Sequence, residues 1–317
     1  MGLTRRQAIL SAFAAAGLSA DTSDRIGHDR IGAITDEIAR SPEGAIGFAH
    51  QYGLKWLELR DVPGVKGTNY FFMEEAGLRE AARQFTAAGL RISFLNTNLL
   101  KFGLPGTDPI RRTPEEPDAR QKRTAGDRAR FDARTADLRK CIRSAQILGC
   151  RYVRVFSFSR VPEPAAVSNR VAEVLNDFAR VAEAEGVMLL LENETSCNVS
   201  NCEELAAMMK LVPSKAVGIN WDVLNGKDVG EDPFPGGYAK LPSARVHNVQ
   251  VKGRSILPEY PEKNVDWRAI FAALARDGYR DQVGLETHIF GDGQVAASHA
   301  SMKAILKIVD PGFTVPS

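Results

Sequence analysis

Cysteine and histidine are scarce in this 317-residue chain, and that scarcity removes several functions at once. Four cysteines, Cys141, Cys150, Cys197 and Cys202, are too few to staple a chain of this length, and none belongs to a C-x-x-C zinc or redox pair. They read as small buried apolar residues, with closure of a short Cys197–Cys202 loop left open for an oxidising compartment. The five histidines, His28, His50, His247, His288 and His299, are scattered and mostly away from strand ends. Basic residues form no block with interleaved aromatics and the formal net charge is only +2, so nucleic acid is not an expected partner. No apolar run reaches the ~20 residues that cross a bilayer. A dinucleotide-binding sheet would want G-x-G-x-x-G after its first strand, and that motif is missing.

What remains is ordinary globular material. Hydrophobic residues make up 44% and charged residues 25% of the chain, enough to build a core. The length fits one α/β barrel, which routinely runs to about 250 residues or more. The first residues stand apart: TRRQAILSAFAAAGLSA combines Arg5-Arg6, a short Ala-rich apolar stretch and small residues near Ala20. This reads as a twin-arginine export signal, giving residues 1–29 as signal and linker, 30–317 as the barrel, and the periplasm as the location. The alternative is an Ala-rich helix carrying two ordinary arginines on a cytoplasmic protein.

From residue 30 onward, short apolar runs alternate with segments of helical periodicity, the pattern of parallel strands joined by crossover helices. Eight runs predict strands: 30–35, 55–59, 91–95, 151–156, 187–192, 216–222, 245–252 and 282–286. Helices are predicted at 74–88, 128–148, 163–185, 202–211, 267–276 and 295–309, with Gly89, Gly149, Gly186 and Gly278 as C-terminal caps. Eight such units predict an α/β fold, a single-domain (β/α)8 TIM barrel. The Pro-, Gly- and charge-rich stretch 102–128 predicts one long loop over the C-terminal face, either a mobile lid or a solvated insertion.

Barrel sites are built from strand ends. Four successive strands end in polar residues: Glu192, Asp222, Gln250 with Lys252, and Glu286. Three carboxylates converging from neighbouring strands repel one another unless a cation lies between them, and a divalent metal removes that repulsion. Two glutamates, an aspartate and a neutral donor make an oxygen-rich set suited to Mn²⁺ or Mg²⁺. On the seventh strand, alternation puts Asn248, Gln250 and Lys252 on one face and His247 on the other, which removes His247 as a ligand. Secondary substrate contacts are read at Lys252, Arg254, His288 and Glu194, with Asn96 and Glu58 at the ends of the third and second strands.

The segments LLLENETS, GINWDVLN, VHNVQVKGR and GLETHI, in this order, resemble the xylose-isomerase-like TIM-barrel superfamily of sugar phosphate isomerases and epimerases. The resemblance implies metal ligation by Glu192, Asp222, Gln250 and Glu286, with Glu192 and Glu286 trading a proton on the carbon beside a carbonyl through an enediolate. It also implies a small sugar or keto-sugar substrate and assembly as a homo-oligomer. The seventh strand departs from the commonest pattern, H-x-K-D, by reading Gln250-Val251-Lys252-Gly253, which looks like the hydroxypyruvate isomerase and dehydroshikimate dehydratase branches. A lyase or dehydratase acting on a 3-keto-glycoside or dehydroshikimate type of substrate is therefore the alternative reaction. A non-catalytic sugar-binding barrel is a third reading, opposed by the presence of both glutamates. The superfamily's abasic-site endonucleases build three-zinc clusters from many histidines, which five scattered ones do not supply.

Overall fold

The alternation of apolar runs and amphipathic segments becomes, in a computed structural model describing residues 25–315, an eight-stranded parallel sheet with helices between its strands. The strands are β1 Ile31–Ala33, β2 Trp56–Leu59, β3 Arg91–Leu95, β4 Tyr152–Val155, β5 Met188–Glu192, β6 Val217–Asp222, β7 Val246–Lys252 and β8 Gln282–Glu286. Each lies inside one of the eight predicted runs. Hydrogen-bonded neighbours follow the order β1-β8-β7-β6-β5-β4-β3-β2, and the parallel bridge from Ile34 to Glu58 joins the two ends of that order. The result is a nearly closed TIM barrel.

The helices are α1 Thr35–Ile38, α2 Pro42–Gln51, α3 Glu75–Ala87, α4 Pro117–Leu148, α5 Ser168–Ala184, α6 Cys202–Leu211, α7 Val223–Asp228, α8 Trp267–Arg276 and α9 Gln294–Val309. Several start where a side chain satisfies a free backbone amide: Ser41 accepts from Gly44, Asn201 from Glu204 and Asp266 from Ala269. α5 shows the burial logic, with Val171, Leu175, Phe178 and Ala182 recurring at three- and four-residue steps on the face turned to the sheet. The four glycines predicted as caps all adopt positive φ. α1, α2 and α7 were not anticipated, since α1 and α7 are too short to display a 3.6-residue period and α2 is interrupted by Gly44 and Gly47.

One expectation is corrected. The stretch 102–128 is loop only as far as Glu116, and from Pro117 it is helix α4. Proline at the first turn costs no internal hydrogen bond. Arg123–Asp127 at 3.2 Å and Arg128–Asp132 at 3.1 Å are i,i+4 ion pairs, each contributing about 0.2–0.5 kcal/mol to an exposed helix. No residue of α4 before Leu138 is buried, so a composition that resembles a loop is that of a solvated helix.

The expected export signal in residues 1–24 lies outside the described residues. Ile26 is buried, and His28 reaches both Asp310 (3.0 Å) and the Tyr52 carbonyl (2.6 Å), which places these linker positions on the barrel itself. All four cysteines are buried as free thiols, so the Cys197–Cys202 closure is not formed. No helix among the described residues is long and apolar enough to cross a membrane.

Inside the barrel, Phe94, Tyr152, Met188 and Leu190 form an apolar plug separate from the larger core between sheet and helices. Met188, Leu190 and Glu192 share one face of β5, so the plug supports the polar layers above it. Phe94 is fully buried there. Phe94→Ala is expected to cost about 3–5 kcal/mol, read as a lower urea midpoint with the slope unchanged.

Candidate metal and active site

Each strand that ends in an inward carboxylate delivers it to the same place. Oxygens of Glu192 on β5, Asp222 on β6 and Glu286 on β8 lie within 4.8 Å of one another, and all three side chains are buried. β7 inserts Gln250 between the last two, with Asp222 and Gly284 as its register partners. In Asp222, Gln250 and Glu286 one end of the group is anchored by a hydrogen bond. Asp222 Oδ1 accepts from the Asn225 backbone amide at 2.9 Å, Glu286 Oε1 from Arg60 at 3.2 Å, and Gln250 Nε2 donates to Glu58 at 3.0 Å. Gln250 Oε1 and Glu286 Oε2 are buried and accept no hydrogen bond, and Asp222 Oδ2 has only the Lys252 ammonium against it, at 2.8 Å. A buried oxygen without a partner costs on the order of 1–3 kcal/mol. Carboxylate oxygens of Glu192, Asp222 and Glu286 within 4.8 Å of one another, with Gln250 Oε1 unbonded on the strand between the last two, form a donor set for a hard divalent cation, so these residues fit the group that the resemblance implies.

The protein's own cations hold this charge together. Arg154 on β4 donates to Glu192 at 3.1 Å, Arg60 after β2 reaches Glu286, and Lys252 Nζ lies 2.8 Å from Asp222 Oδ2 and 3.6 Å from Glu286 Oε2. The aligned hydrogen bond of Lys252 goes to Asn225 Oδ1 at 2.8 Å, which leaves Asp222 Oδ2 in ionic contact only. Burial pushes the Glu192 and Asp222 carboxyls above their ordinary values, against the pull of Arg154 and Lys252 respectively. Burial also acts on Glu286, but there Lys252, His288, Arg60 and Arg154 together outweigh it and hold the group far below the carboxylate range. Lys252 is desolvated as well, yet its acidic neighbours keep it firmly charged.

One layer deeper, Glu58 is fully buried and surrounded by amides. Asn96 and Gln250 donate to its Oε2 at 2.8 and 3.0 Å, and Asn248 to its Oε1 at 3.3 Å. Burial raises its carboxyl to about 7 against these three donors. Asn248 also donates to Asn220 Oδ1 at 2.9 Å, and Asn220 donates to Glu192 at 2.6 Å.

The structure therefore gathers Glu192, Asp222, Gln250, Glu286 and Lys252 at one point. Glu194 stands beside it, bound to Lys101 at 2.8 Å, and His288 Nδ1 lies 3.8 Å from Glu286 Oε1 with its backbone amide on Glu37 at 2.7 Å. Arg254 faces Asp228 at 3.6 Å. Glu58 and Asn96 bond to each other in the floor and have no exposed surface. His247 is not in the cage, but alternation is not the reason: a register shift between β6 and β7 leaves it as an extra residue at the lower end of β7, where it bonds Asp281 at 2.8 Å and stacks on Tyr152 at 5.7 Å.

The sequence reading missed Arg154, Arg60, Glu37 and the Asn220–Asn248 pair. It searched strand ends for carboxylates and asked nothing of mid-strand polar residues. Arg154 had a visible signal, a charged residue within the apolar run YVRVF. Glu37 sits on the unanticipated helix α1 and meets Arg60 at 2.8 Å. A second acidic group, Glu37, Glu286 and His288, shares Glu286 with the first and already has Arg60 bonded to both its glutamates. Arg154→Met leaves Glu192 unpaired in the interior and is expected to cost about 3–5 kcal/mol by denaturant unfolding. Glu192→Gln should recover part of that loss in the double variant.

Comparison with solved structures gives the same barrel throughout. A 3-keto-D-glucoside 4-epimerase from E. coli aligns at TM-score 0.63 and 13% identity, covering 88% of this chain and 98% of the other. The IOLI protein with a bound zinc atom aligns at 0.65 and 15%, covering 90% and 99%. An L-ribulose 3-epimerase aligns at 0.61 and 19%, covering 89% and 92%. No curated protein matches by sequence. The family model described as xylose isomerase-like TIM barrel matches residues 46–307, and the chain belongs to that family.

Proposed function

We propose that this barrel is a divalent-metal-dependent isomerase or epimerase of an unphosphorylated sugar or keto-sugar, working by proton transfer at the carbon beside a carbonyl. The observation that carries the reading is the convergence of buried carboxylate oxygens of Glu192, Asp222 and Glu286 within 4.8 Å, with Gln250 Oε1 unbonded on the strand between the last two. These four would hold the ion, and their all-oxygen character favours Mn²⁺ or Mg²⁺. When bound, the cation supplies Lewis-acid polarisation of the carbonyl.

Everything else is work for the chain's own groups. Glu192 and Glu286 enter from strands separated by β6 and β7 and so flank the space between them. One removes the proton and the other returns it, which needs both carboxylates fixed in place. Arg154 with Asn220 fixes Glu192, and Arg60 fixes Glu286. Lys252 adds a positive charge where an oxyanion would develop. The neutral substrate follows from charge already committed: Lys101, Arg60, Arg154, Lys252 and Arg254 each face a carboxylate. The activities of the 3-keto-D-glucoside 4-epimerase and the L-ribulose 3-epimerase of the same fold support a sugar substrate.

Titration of the purified protein with Mn²⁺ is expected to give one site per chain, lost in Asp222→Asn and strongly weakened in Glu192→Gln. In deuterated water with a panel of ketoses and keto-glycosides, deuterium should enter next to the carbonyl of the true substrate and not in Glu286→Gln. Release of water or an aglycone in place of inversion would reassign the enzyme as a lyase. A protein that takes up no metal would sink the proposal.

The reaction is also assigned to the periplasm, through the Arg5-Arg6 segment. Arg5→Lys/Arg6→Lys should leave the full-length chain in the cytoplasm, whereas the wild type is recovered shortened in the periplasmic fraction; equal distribution of the two refutes export.

A further inference from the structure

The amide of Gln250 can serve the cage only if its oxygen, not its nitrogen, is turned inward, and nothing in the cage itself enforces that choice. The structure assigns the enforcing role to Glu58: it is a positioning residue whose carboxylate fixes the polarity of every amide beneath the cage. The inference rests on the metal-site reading above and concerns a residue that touches neither metal nor substrate.

The argument is one of donor and acceptor counts. A carboxylate can only accept, so an amide against it must present N–H. Gln250 therefore directs Nε2 at Glu58 Oε2 (3.0 Å) and is left with Oε1 on the cage side. The same constraint travels by a second route. Asn248 Nδ2 faces Glu58 Oε1 and Asn220 Oδ1, so Asn220 has its own Nδ2 free for Glu192 Oε2 at 2.6 Å. One buried charge thus sets the direction of two groups in the cage, one on β7 directly and one on β5 through two asparagines. Carboxylates that orient metal-bound histidines act on the same principle.

The fold makes room for this arrangement at a specific place. Gly284 is the β8 register partner of Gln250, and a Cβ built on it would lie 1.8 Å from Glu58 Oε1. Glu58 reaches its three donors through space that any other residue at 284 would fill.

Glu58→Gln tests the idea because neither orientation of the new amide is neutral. With its nitrogen toward position 250, it turns the Gln250 oxygen away from the cage. With its nitrogen toward Asn248, it reverses the asparagine relay and sets an oxygen against Glu192. Mn²⁺ binding, followed by calorimetry and by the electron paramagnetic signal of the free ion, is expected to weaken about ten- to hundredfold. The swap Glu58→Gln/Gln250→Glu restores the pairing with its sense reversed, and Asn96 is free to turn its oxygen toward the new donor. That double variant should recover most of the wild-type affinity, and it should fold even if Glu58→Gln does not. Gln250→Glu alone, which adds a carboxylate to the cage beside an unchanged Glu58, is the reference: recovery in the double variant to an affinity above that of this single variant is what a merely space-filling role for Glu58 would not produce. A wild type that binds no Mn²⁺ overturns the metal site and this inference with it. A wild type that binds, beside a Glu58→Gln variant that binds equally well or a double variant no better than either single one, overturns this inference alone.

Discussion

The mouth of this barrel is organised by the cost of burying like charges together. Glu192, Asp222 and Glu286 are almost without solvent contact and their oxygens crowd within 4.8 Å. In a medium of low effective dielectric such an arrangement is untenable unless each charge has a partner. Arg154, Lys252 and Arg60 are those partners, and each comes from a different strand or strand end. The chain thus neutralises the cage pairwise, which lets it fold with its carboxylates already aimed. The oxygens left over are the ones a cation would find.

This division of labour explains why the barrel can hold so polar a centre. Its lower third is apolar, closed by Phe94, Tyr152, Met188 and Leu190. Above the plug lies a layer of amides around Glu58, and above that the carboxylates. Polarity rises along the barrel axis in steps, and the carboxylate layer is bonded to the amide layer below it through Asn220 and Gln250. Side-chain positions in the cage are therefore set by the strands that carry them and by the partners bonded to one end of each group.

Much of this was legible in the sequence because strand-end carboxylates after apolar runs are rare and expensive. VMLLLE, AVGINWD and QVGLE announce both the strand and the group it carries, whereas the register shift that sets His247 against Tyr152 at the lower end of β7 leaves no trace in HNVQVK. What stayed hidden depends on contacts between distant segments. Arg60 and Glu37 belong to an ion pair whose members sit on a loop and a one-turn helix, neither of which leaves a periodic trace. Glu58 and Asn96 were visible as strand-end polar residues, but only the three-dimensional arrangement shows that they face each other under the cage. The helical character of Pro117–Arg128 was masked for a different reason: a solvated helix held by i,i+4 charges has the composition of a loop.

The seam of the barrel carries a consequence of its own. Between β1 and β2 the described residues show a single bridge, Ile34 to Glu58, where the other neighbouring strands share ladders. The weakest line of the cylinder thus runs through the residue to which the amide layer is bonded. The placement of the amide layer, and of the carboxylates bonded to it, therefore depends on a single backbone closure.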